Sequence, residues 1–205
     1  MIRVGSDNFA RVGGTMIGGG TLIGLANLLT GINDFSTIIE MAKSGSNANV
    51  DMVVDDIYGD NSPFKELRGD LLASSFAKVA TDLDNDRTEG ATELQSKYMQ
   101  EDVLASLVTM ISINIGQLAF LTAKMNNIKK IYFAGNYVQN NELGQEQIKF
   151  AVNVNQGIGL MKPPADGSAV ESPAPEVTSH FVSYDGYLGA IGALMNDFND
   201  GHGAE

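Results

Sequence analysis

The sequence predicts an α/β fold, and three observations carry that expectation. Short apolar runs bounded by turn residues, Ile2–Val4, Phe9–Val12 and Lys130–Ala134, read as strands. Longer stretches repeat apolar side chains every three or four positions, above all Gln100–Met125, and read as helices. The chain has 205 residues of which 43% are hydrophobic, enough for one domain with a sizeable core.

At the N-terminus, Ile2–Val4 and Phe9–Val12 flank Gly5-Ser6-Asp7-Asn8, a hairpin that delivers Arg11 to a glycine-rich segment. Gly18, Gly19 and Gly20 lack Cβ atoms, so the backbone there can take positive φ and its N–H groups can approach an anion closely. Thr21 is placed to cap the apolar helix Leu22–Leu29, whose first turn would offer unpaired N–H groups and about half a positive charge. The segment is neither a Walker loop nor a dinucleotide fingerprint. A glycine turn before a core helix, with nothing bound, is the alternative.

Asp34 is an N-cap for a helix over Phe35–Ser44, closed by Gly45. Asn49–Ile57 reads as another helix, with Val50, Val53, Val54 and Ile57 on one face. Asp51, Asp55 and Asp56 on its other face read as a solvated acidic surface in preference to a magnesium site. Tyr58–Pro63 is turn chemistry, Leu71–Phe76 has no decisive period, and Asp82–Glu93 is a polar loop or the start of the next helix.

Gln100–Met125 forms one long helix, interrupted by Gly116 at a cost of about 1 kcal/mol unless close helix packing needs the missing side chain. Lys130–Ala134 is a buried strand entering the Gly135-Asn136 turn, and Glu142–Val154 is the helix that follows. Pro163, Pro164, Pro173 and Pro175 mark an exposed insertion placed at 159–177. Ser179–Tyr184 supplies a last strand and Gly186–Phe198 a closing helix. A single domain over 1–199 and a polar tail over 200–205 complete the organisation.

Twenty-five acidic against 13 basic residues give a net charge of -12, which opposes nucleic-acid or anionic-membrane partners. A small anionic ligand remains allowed, because distant carboxylates are screened over about 8 Å at physiological salt. The absence of cysteine excludes disulfides, thiolate metal sites and a thiol nucleophile. His180 and His202 have no other ligand at a recognised spacing, so no metal ligands are assigned. No uninterrupted apolar run reaches about 18 residues, and a soluble, cytoplasmic protein without membrane insertion is expected.

Arg11–Leu25, Tyr132-Phe-Ala-Gly-Asn-Tyr137 and Asp185–Ala193, in this order, resemble the eukaryotic-type pantothenate kinases, and Asn49–Asp51, Asp56–Gly59, Ala73–Phe76 and Asn114–Gln117 extend the likeness. The resemblance implies the C-terminal lobe of an actin-like, ribonuclease H-like kinase fold, a mixed sheet with packed helices and a long interface helix. It further implies ATP and Mg2+, phosphorylation of pantothenate to 4'-phosphopantothenate at the start of coenzyme A synthesis, and a homodimer. An N-terminal lobe with the first phosphate loop and a glutamate base would precede the segment in which this chain begins, as would two serines that contact pantothenate. None of these can be assigned in this sequence.

By the same resemblance Gly14, Thr15, Gly18, Gly19, Gly20 and Thr21 form a second phosphate segment. Arg11 positions substrate or phosphoryl group, and Gly135 and Asn136 lie beside the adenosine. Tyr58, Leu71, Leu72 and Ala73 line a pantothenate or acyl-coenzyme A pocket of the partner protomer. Read from the residues alone, Arg11 is better taken as an exposed hairpin arginine, while Gly135-Asn136 is equally an ordinary turn, the pocket set core or interface packing, and the long helix an internal one. Asn155 falls where the family places a tryptophan, which puts an acyl-coenzyme A regulator in question. Two other functions stay open: a non-catalytic kinase lobe that dimerises or senses acyl-coenzyme A, and another actin-fold small-molecule kinase.

Overall fold

The computed structural model describes residues 1–5, 8–59, 66–85, 97–162 and 174–183, with the side chains of 82–85 excepted. In chain order the elements are strands β1 (Ile2–Val4) and β2 (Phe9–Arg11), helices α1 (Gly19–Thr30) and α2 (Phe35–Ser44), and a 3-10 turn at Asn47–Asn49. Strand β3 (Met52–Val53), helix α3 (Val54–Tyr58), strand β4 (Leu72–Ser74) and helix α4 (Ala77–Asn85) follow. Helix α5 (Gln100–Met125), strand β5 (Lys130–Phe133), helix α6 (Glu142–Val154) and strand β6 (Thr178–Phe181) complete the series.

The fold is mixed α/β, but among the described residues its strands form three separate two-stranded sheets rather than the single mixed sheet expected. Two are antiparallel, β1 with β2 and β3 with β4; β5 and β6 run parallel, with Ile131 opposite Ser179.

Helix α5 is the axis of the core. Its 26 residues span about 39 Å, and apolar side chains cover most of its circumference. Leu104, Leu107, Val108 and Ile111 pack with Leu22 of α1 and Ile38 of α2 in one cluster. Ala119, Phe120 and Ala123 pack with Phe133 of β5, Ile148 and Val152 of α6, and Val177 in a second. With a mean hydropathy of 1.8, α5 is long and apolar enough to cross a membrane by composition, yet 61% of that stretch is buried within the fold. Gly116 marks the closest helix approach: a Cβ there would lie 2.6 Å from the Ile148 carbonyl oxygen and 2.8 Å from the Ala151 Cβ. The condition set for a mid-helix glycine is met.

Several expected boundaries move. Helix α1 starts at Gly19, three residues ahead of Leu22, because first-turn positions need no intrahelical N–H bond and so tolerate glycine. Asn49–Ile57 is not one helix but a 3-10 turn, strand β3 and helix α3. Its failure traces to Asp51, which is fully buried instead of solvated. The Asp51 carboxyl accepts the Phe76 N–H at 2.8 Å, the Asn47 Nδ2–H at 2.9 Å and the Ser106 hydroxyl, ties that a regular amphipathic helix would not make. Asp55 and Asp56 do lie at the surface, Asp56 paired with Lys78 at 2.8 Å.

The undecided Leu71–Phe76 stretch contains β4, and the polar stretch from Asp82 begins as the end of α4. At the proline-rich insertion, Leu67 and Met161 form an antiparallel bridge, Lys124 pairs with Glu176 at 2.6 Å, and Val177 is buried. Residues 163–173, the Gly186–Phe198 helix and the 200–205 tail lie outside the described residues.

Candidate functional site

Strand β2 ends at Arg11, and the chain turns through the glycine segment into α1. The Met1 ammonium donates to the Gly13 carbonyl at 2.7 Å, fixing the segment's root. Two threonines brace the bend: Thr15 Oγ1 accepts the Ile17 N–H at 3.0 Å, and Thr21 Oγ1 accepts the Gly18 N–H and donates to the Met16 carbonyl, both at 3.2 Å. Gly18, not Thr21, is the N-cap; Thr21 sits in the first turn and reaches back. The N–H groups of Gly19, Gly20 and Thr21 have no acceptor within the helix and form its positive end.

These glycines are not needed for positive φ. Gly18 has φ -169°, ordinary extended backbone, and no residue of the segment adopts the left-handed region. What they provide is access: at Gly18 and Gly20 an added Cβ would meet nothing within 4 Å, so a ligand can come directly onto the backbone. Arg11 is exposed and folds over this turn, its Nη2 atom 3.0 Å from where a Gly14 Cβ would stand.

The second candidate turn follows β5. Gly135 has φ +107°, a left-handed value that suits glycine, and its carbonyl accepts the N–H groups of Val138 at 3.2 Å and Gln139 at 3.3 Å. Asn136 faces solvent while Tyr137 turns inward. A Cβ on Gly19 would lie 3.5 Å from the Tyr137 ring, so the two turns, far apart in sequence, meet through this contact. The Tyr137 hydroxyl lies 2.8 Å from Ser112 Oγ, and burial pushes its pKa up to about 12 against the lowering effect of that hydrogen bond.

Phe35 packs edge-on to Tyr137 with ring centroids 6.4 Å apart. Between this end of α2 and the second turn lies a cleft of about 350 Å3, lined by Phe35, Ile39, Lys43, Asn136, Gln139 and Asn140 among others. Amide side chains and an apolar ring suit the edge and face of a purine. A cavity of about 430 Å3 elsewhere, beside Asn49, Lys78, Thr81 and Asp102, touches none of the candidate residues.

The structure thus gathers Arg11 and Gly14 with Thr15, Gly18, Gly19, Gly20 and Thr21 in one turn, and brings the Gly135-Asn136 turn to it through the contact of Tyr137 with Gly19. It places the pocket candidates elsewhere. Leu72 and Ala73 lie in β4 and Leu71 beside it, Leu71 buried and accepting the Val54 N–H at 2.9 Å; Tyr58, 40% exposed, ends α3. This unit is moored to α5 through Asp51 and Ser106, whereas Tyr137 approaches α5 at Ser112, with Val108 O at 3.4 Å. Ser106 and Ser112 are six residues apart, about 120° round a helix of about 3.6 residues per turn and about 9 Å along it, so the two sets meet different faces of α5. Asn155 ends α6, its Nδ2 donating to the Ala151 carbonyl at 2.7 Å.

Among the described residues no three His, Asp or Glu side chains converge to hold a metal ion. The open backbone at Gly18 and Gly20, the helix end and Arg11 fit a polyphosphate. Sequence reasoning gave Tyr137, Ser112 and Phe35 no part here. Their only signal was an aromatic residue directly after the Gly135-Asn136 pair.

A family model described as Fumble matches residues 1–196. The chain belongs to the Fumble family. It is 33% identical over 193 residues to a pantothenate kinase of Schizosaccharomyces pombe, covering 93% of this chain and 41% of that protein. It is 36% identical over 203 residues to pantothenate kinase 1 of Arabidopsis thaliana, covering 98% of this chain and 46% of the relative. A 4'-phosphopantetheine phosphatase of Mus musculus is 37% identical over 190 residues, 92% of this chain but 20% of that protein. The Fumble chain therefore spans less than half the length of these relatives.

Proposed function

We propose that this Fumble chain forms part of an ATP-dependent pantothenate kinase with the C-terminal lobe of an actin-like fold. The observation that carries the reading is the meeting of the two candidate turns at Gly19 and Tyr137. A phosphate grip and a base cleft on neighbouring elements make one nucleotide site. The triphosphate lies along the first turn of α1, where N–H groups and helix dipole offset the charge that spreads during transfer. The base occupies the cleft beside Asn136, and Arg11, permanently charged and forked, directs an oxygen of acceptor or phosphoryl group.

In the reaction, the bond from the γ-phosphorus to its bridging oxygen breaks as the pantothenate hydroxyl oxygen bonds to that phosphorus. The hydroxyl proton passes to a carboxylate base that this chain does not assign, and ADP leaves. Magnesium accompanies the nucleotide and supplies charge neutralisation; the described side chains support no more specific role for it. The attachment of Tyr58, Leu71, Leu72 and Ala73 to a different face of α5 from the nucleotide turns favours their serving a second copy of the chain, in a homodimer.

Labelled phosphate transfer from ATP to pantothenate, with hexoses and N-acetylated sugars as competing acceptors, tests this reading. In the complete enzyme, which carries the carboxylate base, pantothenate is the preferred acceptor, and Arg11→Ala lowers turnover at least about tenfold, on the order of 1.4 kcal/mol. An unchanged rate removes Arg11 from the site, and preference for a sugar assigns another kinase activity. One observation favours a second, non-catalytic reading: the same segment recurs in a relative that bears a phosphatase name. Under that reading the chain binds nucleotide or acyl-coenzyme A and transfers nothing, even when supplied with a full-length kinase subunit.

A further inference from the structure

We propose that Tyr137 is a positioning residue that holds the phosphate end and the base end of one nucleotide site at a fixed separation. The inference rests on the ATP reading above and assigns a device that makes the two ends act together.

Tyr137 is the one side chain described above that touches both halves. Its Cδ2 and Cβ lie 3.5 and 3.7 Å from where a Gly19 Cβ would stand, in the first turn of α1. Its backbone continues directly from Gly135 and Asn136, and its ring meets Phe35, which with Asn136 walls the base cleft. It packs against both apolar clusters, so movement of the ring would disturb α1, α2 and the β5 turn together. The hydroxyl locks the ring's rotation by bonding to Ser112 of α5 at 2.8 Å, with the Val108 carbonyl 3.4 Å away.

A ligand that spans two weak subsites binds tightly only if their spacing matches its own, because the second contact is then made at a high effective concentration. Tyr137 offers no donor or acceptor to either subsite in this arrangement. Its truncation leaves each grip intact and loosens their relation, which is the loss of preorganisation alone.

The experiment compares three ligands by calorimetry on wild type, Tyr137→Ala, Tyr137→Leu and Tyr137→Phe: ATP with magnesium, adenosine, and inorganic tripolyphosphate with magnesium. In Tyr137→Ala, ATP affinity falls at least about tenfold, whereas adenosine and tripolyphosphate, each using one end, bind within about twofold of wild type. Tyr137→Phe keeps the ring, and Ser112 can turn to the Val108 carbonyl one helical turn back, so ATP affinity returns to within about threefold of wild type. Tyr137→Leu gives the same discrimination as Tyr137→Ala if the alanine variant does not fold. An equal loss for all three ligands in the variant that folds, or an unchanged ATP affinity, overturns the proposal. Wild type that binds ATP no more tightly than tripolyphosphate overturns the coupling and leaves the phosphate grip standing; wild type that binds none of the three takes down the ATP reading with it.

Discussion

The hydroxyl of Ser106 donates to the carboxyl of Asp51 across 55 residues of sequence, joining the second turn of the core helix to a two-strand unit on its flank. Asp51 is fully buried, and its other donors are Asn47 and the Phe76 N–H. Phe76 has φ +58°, a strained value for a bulky residue, and the Asp51 bond is what secures that turn. Ser106→Ala removes a hydrogen bond to a buried acid and should destabilise the protein by about 1.5–3 kcal/mol. Asp51→Ala, which strands three donors, should cost more. Urea unfolding provides the measurement; an unchanged midpoint for Ser106→Ala would mean that the carboxyl is satisfied without it.

Gly116 sits where α6 leans on α5, and two opposed effects decide the outcome of Gly116→Ala. Alanine favours a helix interior by about 1 kcal/mol. Against this, the new Cβ would stand 2.6 Å from a backbone oxygen of Ile148, which cannot swing aside as a side-chain tip could. Overpacking of that kind costs about 1–3 kcal/mol, so the variant should melt at a lower temperature than wild type. A higher melting temperature would show that α6 slides away at little cost.

These two sites mark where the sequence was readable. The bounds of Phe35–Ser44, Gln100–Met125 and Glu142–Val154 follow from caps and from a helical period, both local properties. Asn49–Ile57 carried the same period and misled, because the burial of Asp51 depends on Ser106 and Phe76, residues that no local window includes. The two candidate turns were visible as turns through their glycines, and the resemblance to a family is what made them candidates. Their joining through Tyr137, and the attachment of Leu71–Ala73 to another face of α5, are tertiary facts that spacing along the chain does not encode. Glycine itself was only half understood: the Gly18 backbone is ordinary, and what it shows is open space rather than left-handed geometry.

Acid should selectively remove the cap of α2. Asp34 Oδ2 accepts the Thr37 hydroxyl at 2.7 Å and the Thr37 N–H at 2.8 Å, and these bonds hold its pKa below the ordinary value of 3.8. A carboxyl depressed in the folded state stabilises fully above its unfolded pKa and loses that contribution as pH falls through the folded value. Asp34→Ala should therefore unfold at lower urea than wild type near pH 7, and the gap should narrow as pH falls below 3.8. A gap that persists in acid would assign the effect to something other than the carboxylate.

Gly20 separates binding from stability. A Cβ there meets no protein atom within 4 Å, and the residue lies in the first turn of α1, so Gly20→Ala should leave the melting temperature equal or raised, alanine being favoured in a helix by roughly 0.5–1 kcal/mol. The same methyl group stands beside N–H groups that a phosphate must approach closely. ATP affinity should fall at least about tenfold, or 1.4 kcal/mol. A melt and an ATP titration on one preparation settle both halves, since a fold that is unharmed while affinity drops can only mean that the ligand comes onto this backbone. Unaltered affinity would instead place the triphosphate away from α1 and remove the main support for the kinase reading.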